Sequence, residues 1–562
     1  MARFVLISDL TLLHDYHHFP LLDFLPCAPS GSLPVFVYEY LKGKSVGHVK
    51  GRVVAAPYGL RKLEAALLTE FSEQEVVVAH PDFLEYFIKE DTEVIGVYTM
   101  DPLGLGPLTV SYSVLFNNTS KPFVLVEFEK LIYRINRARR GTKARLVVGG
   151  PGVWEFMMRP YELDRLGIDY ACQGEIEDVA CELFRMLARD ASPRGEFFRG
   201  FQTFDEKFRV VFFAHDKFIT RSPRQKRFPS LEEVPKIRAP AYKGLVEAMR
   251  GCGINCDFCE VTLRPLRYFP PEYVRDEILV NMGAGYDAAW VHSDEIFAYK
   301  HGRNYEPNGE ALKELFSTIM GIRGIRHSNP THGRISIPAG FPEVIRDLSA
   351  ILRASAENWI GIQPGIETGS DRLAMKHMPN KTLPLRIGPD GTWKEIVLEG
   401  TKNLNRYFWF PAFTVQVGQF DERPEDNWET VALINQLGAA EVDGRRLVCT
   451  VTPMQNVPLG LLKGRSYFTA EMIDASQMAV YYAAYRHLMK VAIRNSGWIA
   501  RGNIFTRAAL NVLFSAGSWA LLHYIETLCR RKGVDIERVK RHGLDESAPM
   551  PQRLAEESYV PA

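Results

Sequence analysis

Short apolar runs punctuate the first third of the chain, separated by amphipathic stretches. Residues 4–8, 76–79, 94–97 and 144–148 are rich in valine, leucine and isoleucine and are bounded by polar or turn-forming residues. Continuous apolar runs of this length read as strands buried on both faces, as in a parallel sheet. Stretches such as 123–140 repeat their apolar positions at helical spacing between them. Strands alternating with helices predict a doubly wound α/β sheet, which receives ligands outside the carboxyl ends of its strands. The alternation resumes later in the chain, with strands predicted at 245–249, 288–292, 334–337, 359–363, 413–417 and 447–451. Six βα units follow from that pattern.

The intervening and final segments differ. Residues 190–242 read as a connector, with a hairpin expected around 208–213 and a proline-rich, basic stretch from Ser222 onward. Residues 471–545 read as helical, with Met478, Tyr481, Tyr482, Tyr485 and Met489 on one face, and 546–562 as a flexible tail. The division expected is therefore 1–189, 190–242, 243–470, 471–545 and 546–562. The stretch 506–528 is nearly uncharged for most of its length, but too short in its apolar part to span a bilayer.

Composition narrows the function classes. The 562 residues are 46% hydrophobic and 24% charged, with a formal net charge of +1, so no basic footprint for nucleic acid is present. Asp9 interrupts the first apolar run and no small-residue cleavage site follows, so the start reads as a strand and not as a signal peptide. Of eight cysteines, Cys252, Cys256 and Cys259 are spaced by three and then two residues. Three thiols with no fourth ligand nearby suggest a metal centre with one open position, which points to a reducing cytoplasm.

With Phe258 before the last cysteine, the run Cys252-Gly253-Ile254-Asn255-Cys256-Asp257-Phe258-Cys259 resembles the signature of the radical S-adenosylmethionine (SAM) enzymes. The resemblance implies a [4Fe-4S] cluster on the three cysteines, SAM chelated to its fourth iron, and a deoxyadenosyl radical formed on one-electron cleavage. It also implies that the six βα units form a partial (β/α)6 barrel. Further segments match in order: Ser293-Asp294-Glu295 for the methionine ammonium of SAM, Gly365-Ile366-Glu367-Thr368-Gly369 near the ribose, Gly418 against the adenine, and Thr452-Pro453 at the sixth strand. The usual glycine pair before the glutamate is absent here, so the resemblance leaves open which carboxylate meets the ammonium.

The first unit carries its own pattern. Tyr98-Thr99-Met100-Asp101 with Gly104, then Gly149-Gly150-Pro151, then Gly174-Glu175 lie at predicted strand ends. Together they resemble the Rossmann-like cobalamin-binding domain of one large radical SAM class. Thr99, Met100, Asp101, Gly104, Gly149, Gly150, Gly174 and Glu175 are then candidates for holding cobalamin. The cobalt-ligating D-x-H-x-x-G motif is not intact: Asp15-Tyr16-His17 is followed by Pro20 where glycine belongs, so cobalamin is expected without a protein lower ligand.

The resemblance implies an enzyme that modifies an unactivated carbon, with cobalamin-dependent C-methylation as the leading reaction. Radical carbon–carbon bond formation, cyclisation or rearrangement, including on a lipid, is the alternative, and a cobalamin carrier or sensor with a structural cluster is the non-enzyme alternative. A ferredoxin- or flavodoxin-type donor would supply the electron. The substrate is expected to be a small molecule or a lipid, the latter with a membrane-peripheral location suggested only by the apolar C-terminal region.

Overall fold

The computed structural model describes residues 2–18, 20–189, 197–199, 216–221, 228–457, 473–495 and 504–544. The first sheet is built from β1 (Phe4–Ser8), β2 (Val76–Val78), β3 (Val94–Tyr98), β4 (Arg145–Gly149), β5 (Tyr170–Gln173), β6 (Phe197–Arg199) and β7 (Phe218–Arg221). Its order is β2-β1-β3-β4-β5-β7-β6, parallel except for the β6–β7 pair. The side chains of β1 explain why both faces must be covered. Val5 and Ile7 enter one core with Phe128, Leu131 and Ile135, whereas Phe4 and Leu6 enter another with Leu60, Leu67 and Phe184. Helix α3 (Phe123–Ala138) supplies the first cover, and α1 (Tyr58–Leu67) with α4 (Ala180–Ala188) the second. Helix α2 (Pro107–Leu115) follows β3.

The first sheet runs past the boundary expected from the sequence. Strand β7 pairs with β5 in parallel, so residues assigned to the connector extend this sheet. Phe218 and Ile219 are buried, which accounts for their recruitment. The hairpin expected around 208–213 lies outside the described residues.

In the second region six parallel strands follow one another in chain order: β8 (Leu245–Glu247), β9 (Ala288–His292), β10 (His327–Pro330), β11 (Ile360–Ile362), β13 (Trp409–Val417) and β14 (Thr450–Gln455). A short strand, β12 (Gly365–Glu367), prolongs the β11 pairing along β13, and Gln363 donates its backbone N–H to the Thr331 carbonyl to join the two halves. Helices α5 (Pro271–Met282), α6 (Gly309–Met320), α7 (Pro342–Leu352), α8 (Trp393–Arg406) and α9 (Pro424–Ala439) alternate with the strands. They bury Val274, Leu312, Ile345, Ile396 and Val431 in one core with Val246, Val291 and Phe413. Among the described residues β8 and β14 pair with no common neighbour, so the sheet does not close by hydrogen bonds.

One predicted strand is displaced. Residues 334–337 are not the third strand, since Ser336–Gly340 is helical and the strand is the polar His327–Pro330. Arg334 is drawn inward to donate to the carbonyls of Leu383 and Tyr305, and the Asn329 side chain accepts from the Gly361 N–H, so hydrogen bonding sets this strand where apolar pattern is absent. The last strand likewise begins at Thr450, three residues later than expected.

Both edges of the second sheet meet the first unit. The Gln455 N–H of β14 donates to Ser111 Oγ on α2 at 2.7 Å. At the other edge Tyr58 on α1 donates to Glu277 on α5 at 2.7 Å, and Lys62 pairs with the same buried carboxylate. An uncovered edge would expose unpaired backbone groups, and α2 supplies the missing partner. Helix α10 (Ala475–Arg494) covers the outside of α9 and β14 with Tyr481 and Tyr482 buried. No helix among the described residues is long and apolar enough to cross a membrane.

Candidate active site

The cysteine loop leaves the carboxyl end of β8 and turns through Gly251, Gly253 and Asn255, all at positive φ. At Gly251 a Cβ would stand 2.6 Å from the Pro265 carbonyl oxygen, so the returning segment fixes glycine there. Cys252 and Cys256 are buried and Cys259 partly so. Burial pushes the Cys252 thiol up to about 12 and raises Cys256 and Cys259 as well. Binding a metal would have to displace those protons. No three His, Cys, Asp or Glu side chains among the described residues converge on a single ion.

Charged side chains from successive strand ends surround the loop. Asp294, after β9, accepts the Gly251 N–H at 2.7 Å, which ties it to the start of the cysteine loop. Glu295 turns the other way: it is buried, lies 3.5 Å from the buried Arg334 guanidinium and caps the Phe297 N–H. Ser293 is fully buried, its N–H donating to Thr331 Oγ1. Glu367, at the end of β12, pairs with Lys381 at 2.6 Å. Gly365 must be glycine for that pair, because a Cβ would stand 2.0 Å from the Glu367 carboxylate. Burial alone would depress the Lys381 amine, but Glu367 and then Cys256 outweigh it and hold it above its ordinary value. The Phe258 ring centroid lies 5.9 Å from the same amine. Gly418 adopts a positive φ and donates its N–H to Glu422, whose other oxygen accepts from Gln477 on α10. This carboxylate thus locks the turn after β13 to the C-terminal helix.

Residues that the sequence reading did not single out complete the ring. His332 follows β10, with Nδ1 3.2 Å from the Ser293 carbonyl oxygen; burial, then His292, lowers its imidazole to about 4. Misplacing the third strand hid it, since Thr331-His332 marks the true strand end. His377 bridges Asp257 of the cysteine loop at 2.8 Å and the Phe420 carbonyl at 2.7 Å. Arg264 stands among Asp294, Glu260, Glu175 and Glu247, which together outweigh its burial and raise its guanidinium further.

The first sheet aims its carboxyl ends at this loop. Gln173, ending β5, donates to Glu260 beside Cys259 at 3.0 Å. Glu175 accepts from both Arg250 and Arg267 at 2.7 Å, and Glu177 and Glu247 also pair with Arg250. Glu175 is therefore spent on joining the two units.

The remaining predicted residues of the first unit divide into two sets. Asp101 accepts from Gly106 N–H at 3.0 Å and from the hydroxyl of Thr109 on the first turn of α2. A Cβ on Gly104 would meet Pro122 at 2.3 Å, and one on Gly150 the Thr99 carbonyl at 2.7 Å. Those two glycines serve contacts within the protein. Met100 is instead 51% exposed, Gly174 has open space where a Cβ would be, and Gly149 has only a carbonyl 3.9 Å away. Thr99 is fully buried and its Oγ1 has no partner. His17 Nε2 lies 2.6 Å from the Tyr40 carbonyl, so its ring is bound to the helix Val35–Lys42.

No family model and no curated relative matches the sequence. Among solved structures, the radical S-adenosylmethionine methyltransferase TsrM from Kitasatospora setae, with tryptophan substrate and a SAM analogue bound, is 17% identical with a TM-score of 0.49, covering 86% of this chain and 77% of its own. The same enzyme with cobalamin and a [4Fe-4S] cluster bound gives 17% and 0.47, over 81% and 75% of the two chains. SuiB from Streptococcus suis, bound to S-adenosylmethionine, gives 12% and 0.28 over 64% and 60%. Likenesses at this level decide neither fold nor chemistry, which rest on the residues themselves.

Proposed function

We propose that this chain is a radical SAM enzyme that modifies an unactivated carbon, with cobalamin-dependent C-methylation as the reaction it performs. The observation that carries this reading is the placement of Cys252, Cys256 and Cys259 on one buried loop, between the strand ends of the two sheets. The cysteines would hold a [4Fe-4S] cluster, which supplies one-electron cleavage of SAM when both are bound. Asp294 is the carboxylate available to the methionine ammonium, since Glu295 is occupied by Arg334. Glu367, oriented by Lys381, is the acceptor for ribose hydroxyls, and the turn at Gly418 is the segment proposed to face the adenine. The six βα units in chain order support a partial (β/α)6 barrel, whose chemistry lies at the strand carboxyl ends.

Cobalamin belongs, in this reading, beside Met100, Gly149 and Gly174, where the first sheet leaves space, with no lower ligand from His17. The Arg250 network ties the first unit to the strand that leads into the cysteine loop. The test is anaerobic reconstitution with iron and sulfide, then incubation with cobalamin, a low-potential reductant, methyl-deuterated SAM and a cell extract. The expected outcome is 5′-deoxyadenosine together with a deuterated-methyl product. Deoxyadenosine without methyl transfer would retain the cluster chemistry and remove the methylation, and no cluster after reconstitution would remove both.

A further inference from the structure

On the side of the second sheet opposite the cysteine loop lies a cavity of about 470 Å³. Helix α9 follows β13 and returns the chain to the start of β14, so Gly438 and Ala439 at its end sit near the amino ends of the strands. The cavity opens there, between the last turns of α9 and α10. Arg446, Arg486, Lys490 and Arg494 reach it, over apolar surface from Ile434 and Leu544.

Among the described residues the charge is not balanced. Arg446 faces Glu441 at 3.6 Å in a pair that is about half exposed on both sides. Among the described residues no carboxylate forms an ion pair with Arg486, Lys490 or Arg494. Nearby Lys540 is itself a cation, already held by Glu526 at 3.2 Å and Glu537 at 2.9 Å. Arg486, Lys490 and Arg494 recur every four residues along α10, so they repel one another on one helical face. The negative end of the helix dipole offsets about half a charge and leaves the rest. Burial, then Arg486, Arg494 and Arg446, hold the Lys490 amine below its ordinary value.

We propose that this cavity is a binding site for a phosphate-bearing ligand with a short apolar portion. The phosphate is held by Arg486, Lys490 and Arg494, and the apolar portion lies against Ile434 and Leu544. Planar guanidinium groups bind phosphate oxygens in pairs, and an anion would relieve the like-charge crowding. The ligand can be a soluble phosphate ester or a lipid headgroup, since both present the same group. The site stands apart from the cysteine loop and is independent of the proposed activity.

Calorimetry on the full chain with hexyl phosphate, and co-sedimentation with phosphatidylcholine vesicles with or without phosphatidic acid, test it. Saturable binding of hexyl phosphate, with hexanol inert, supports a soluble ester. Sedimentation that requires phosphatidic acid, without binding of hexyl phosphate, supports a headgroup. Either affinity is expected to fall about tenfold or more in Arg486→Gln/Lys490→Gln. Arg486→Lys, which keeps the charge, should retain most of it. Thermal melts of the unliganded double variant, expected at or above the wild-type midpoint because repulsion is removed, show that any loss is not unfolding. Binding to neither probe, or binding unchanged in the double variant, overturns the proposal.

Discussion

At the carboxyl ends of the first sheet, three of the conspicuous residues are consumed by contacts near their own loops. Gly150 makes room for the Thr99 carbonyl, Gly104 for Pro122, and Asp101 closes its own turn. At the carboxyl ends of the second sheet, Asp294, Glu367, Lys381 and His332 instead stand around three thiols. The same α/β architecture thus serves in one region chiefly to build a surface and in the other to array charge. A glycine at a strand end has two physical causes, a close protein contact or a ligand, and only the contact distances separate them.

The largest expected effect falls on the second region. Cys256→Ala should abolish reconstituted iron and the associated visible absorbance, while the far-ultraviolet circular dichroism spectrum stays that of the wild type. Retention of stoichiometric iron would show that the three thiols do not act together.

The junction between the regions comes next. Arg250 is buried against Glu175, Glu177 and Glu247, so Arg250→Met takes the shared cation from three carboxylates, of which Glu175 keeps Arg267. A loss of about 3–5 kcal/mol in denaturant unfolding is expected. A loss under about 1 kcal/mol would mean that the two units do not depend on this network.

The first region should be distinguished by its response to pH. Burial raises the fully enclosed Asp9 carboxyl from 3.8 to about 7, with Asp101 and Glu127 adding to the shift. The folded state therefore keeps a proton that the unfolded chain has lost. Stability from this group is complete below the unfolded value and is lost as pH rises through the folded one. The full span is about 4 kcal/mol. Asp9→Asn should flatten that fall in a series of urea titrations across the window, and an unchanged slope would exclude Asp9 as its source.

The smallest effects separate the two kinds of glycine. Gly150→Ala must adopt φ +97° and push on the Thr99 carbonyl at 2.7 Å, whereas Gly174→Ala meets only the strain of φ +109°. Losses of about 2–3 and about 1 kcal/mol are expected in thermal melts. If added cobalamin stabilises the wild type and not Gly174→Ala, the open glycine lies at the ligand.

Pattern recovered the buried strands well, because their apolar runs have no other use. Strands β1 and β9 match the predicted bounds, and β2, β3 and β4 agree within a residue at each end. Strand β10 was illegible because its residues are His, Ser, Asn and Pro, and hydrogen bonds rather than burial pattern hold it. With that strand misplaced, His332 could not be read as a strand-end residue. The first sheet's extension to β7 was equally hidden, since Phe218–Arg221 is a short run whose parallel partner lies far back at Tyr170–Gln173.

By itself the sequence determined the two βα regions and the cysteine loop, because hydrophobic period and close ligand spacing are local properties. Tertiary structure alone decided that Glu175 joins the two units, that Glu295 turns to Arg334 while Asp294 turns to the loop, and that Ser111 pairs with the edge of β14. It also decided that four cations from two separate segments share one cavity. Each depends on groups brought together from different elements, where competition for a charge or a hydrogen bond sets the partner.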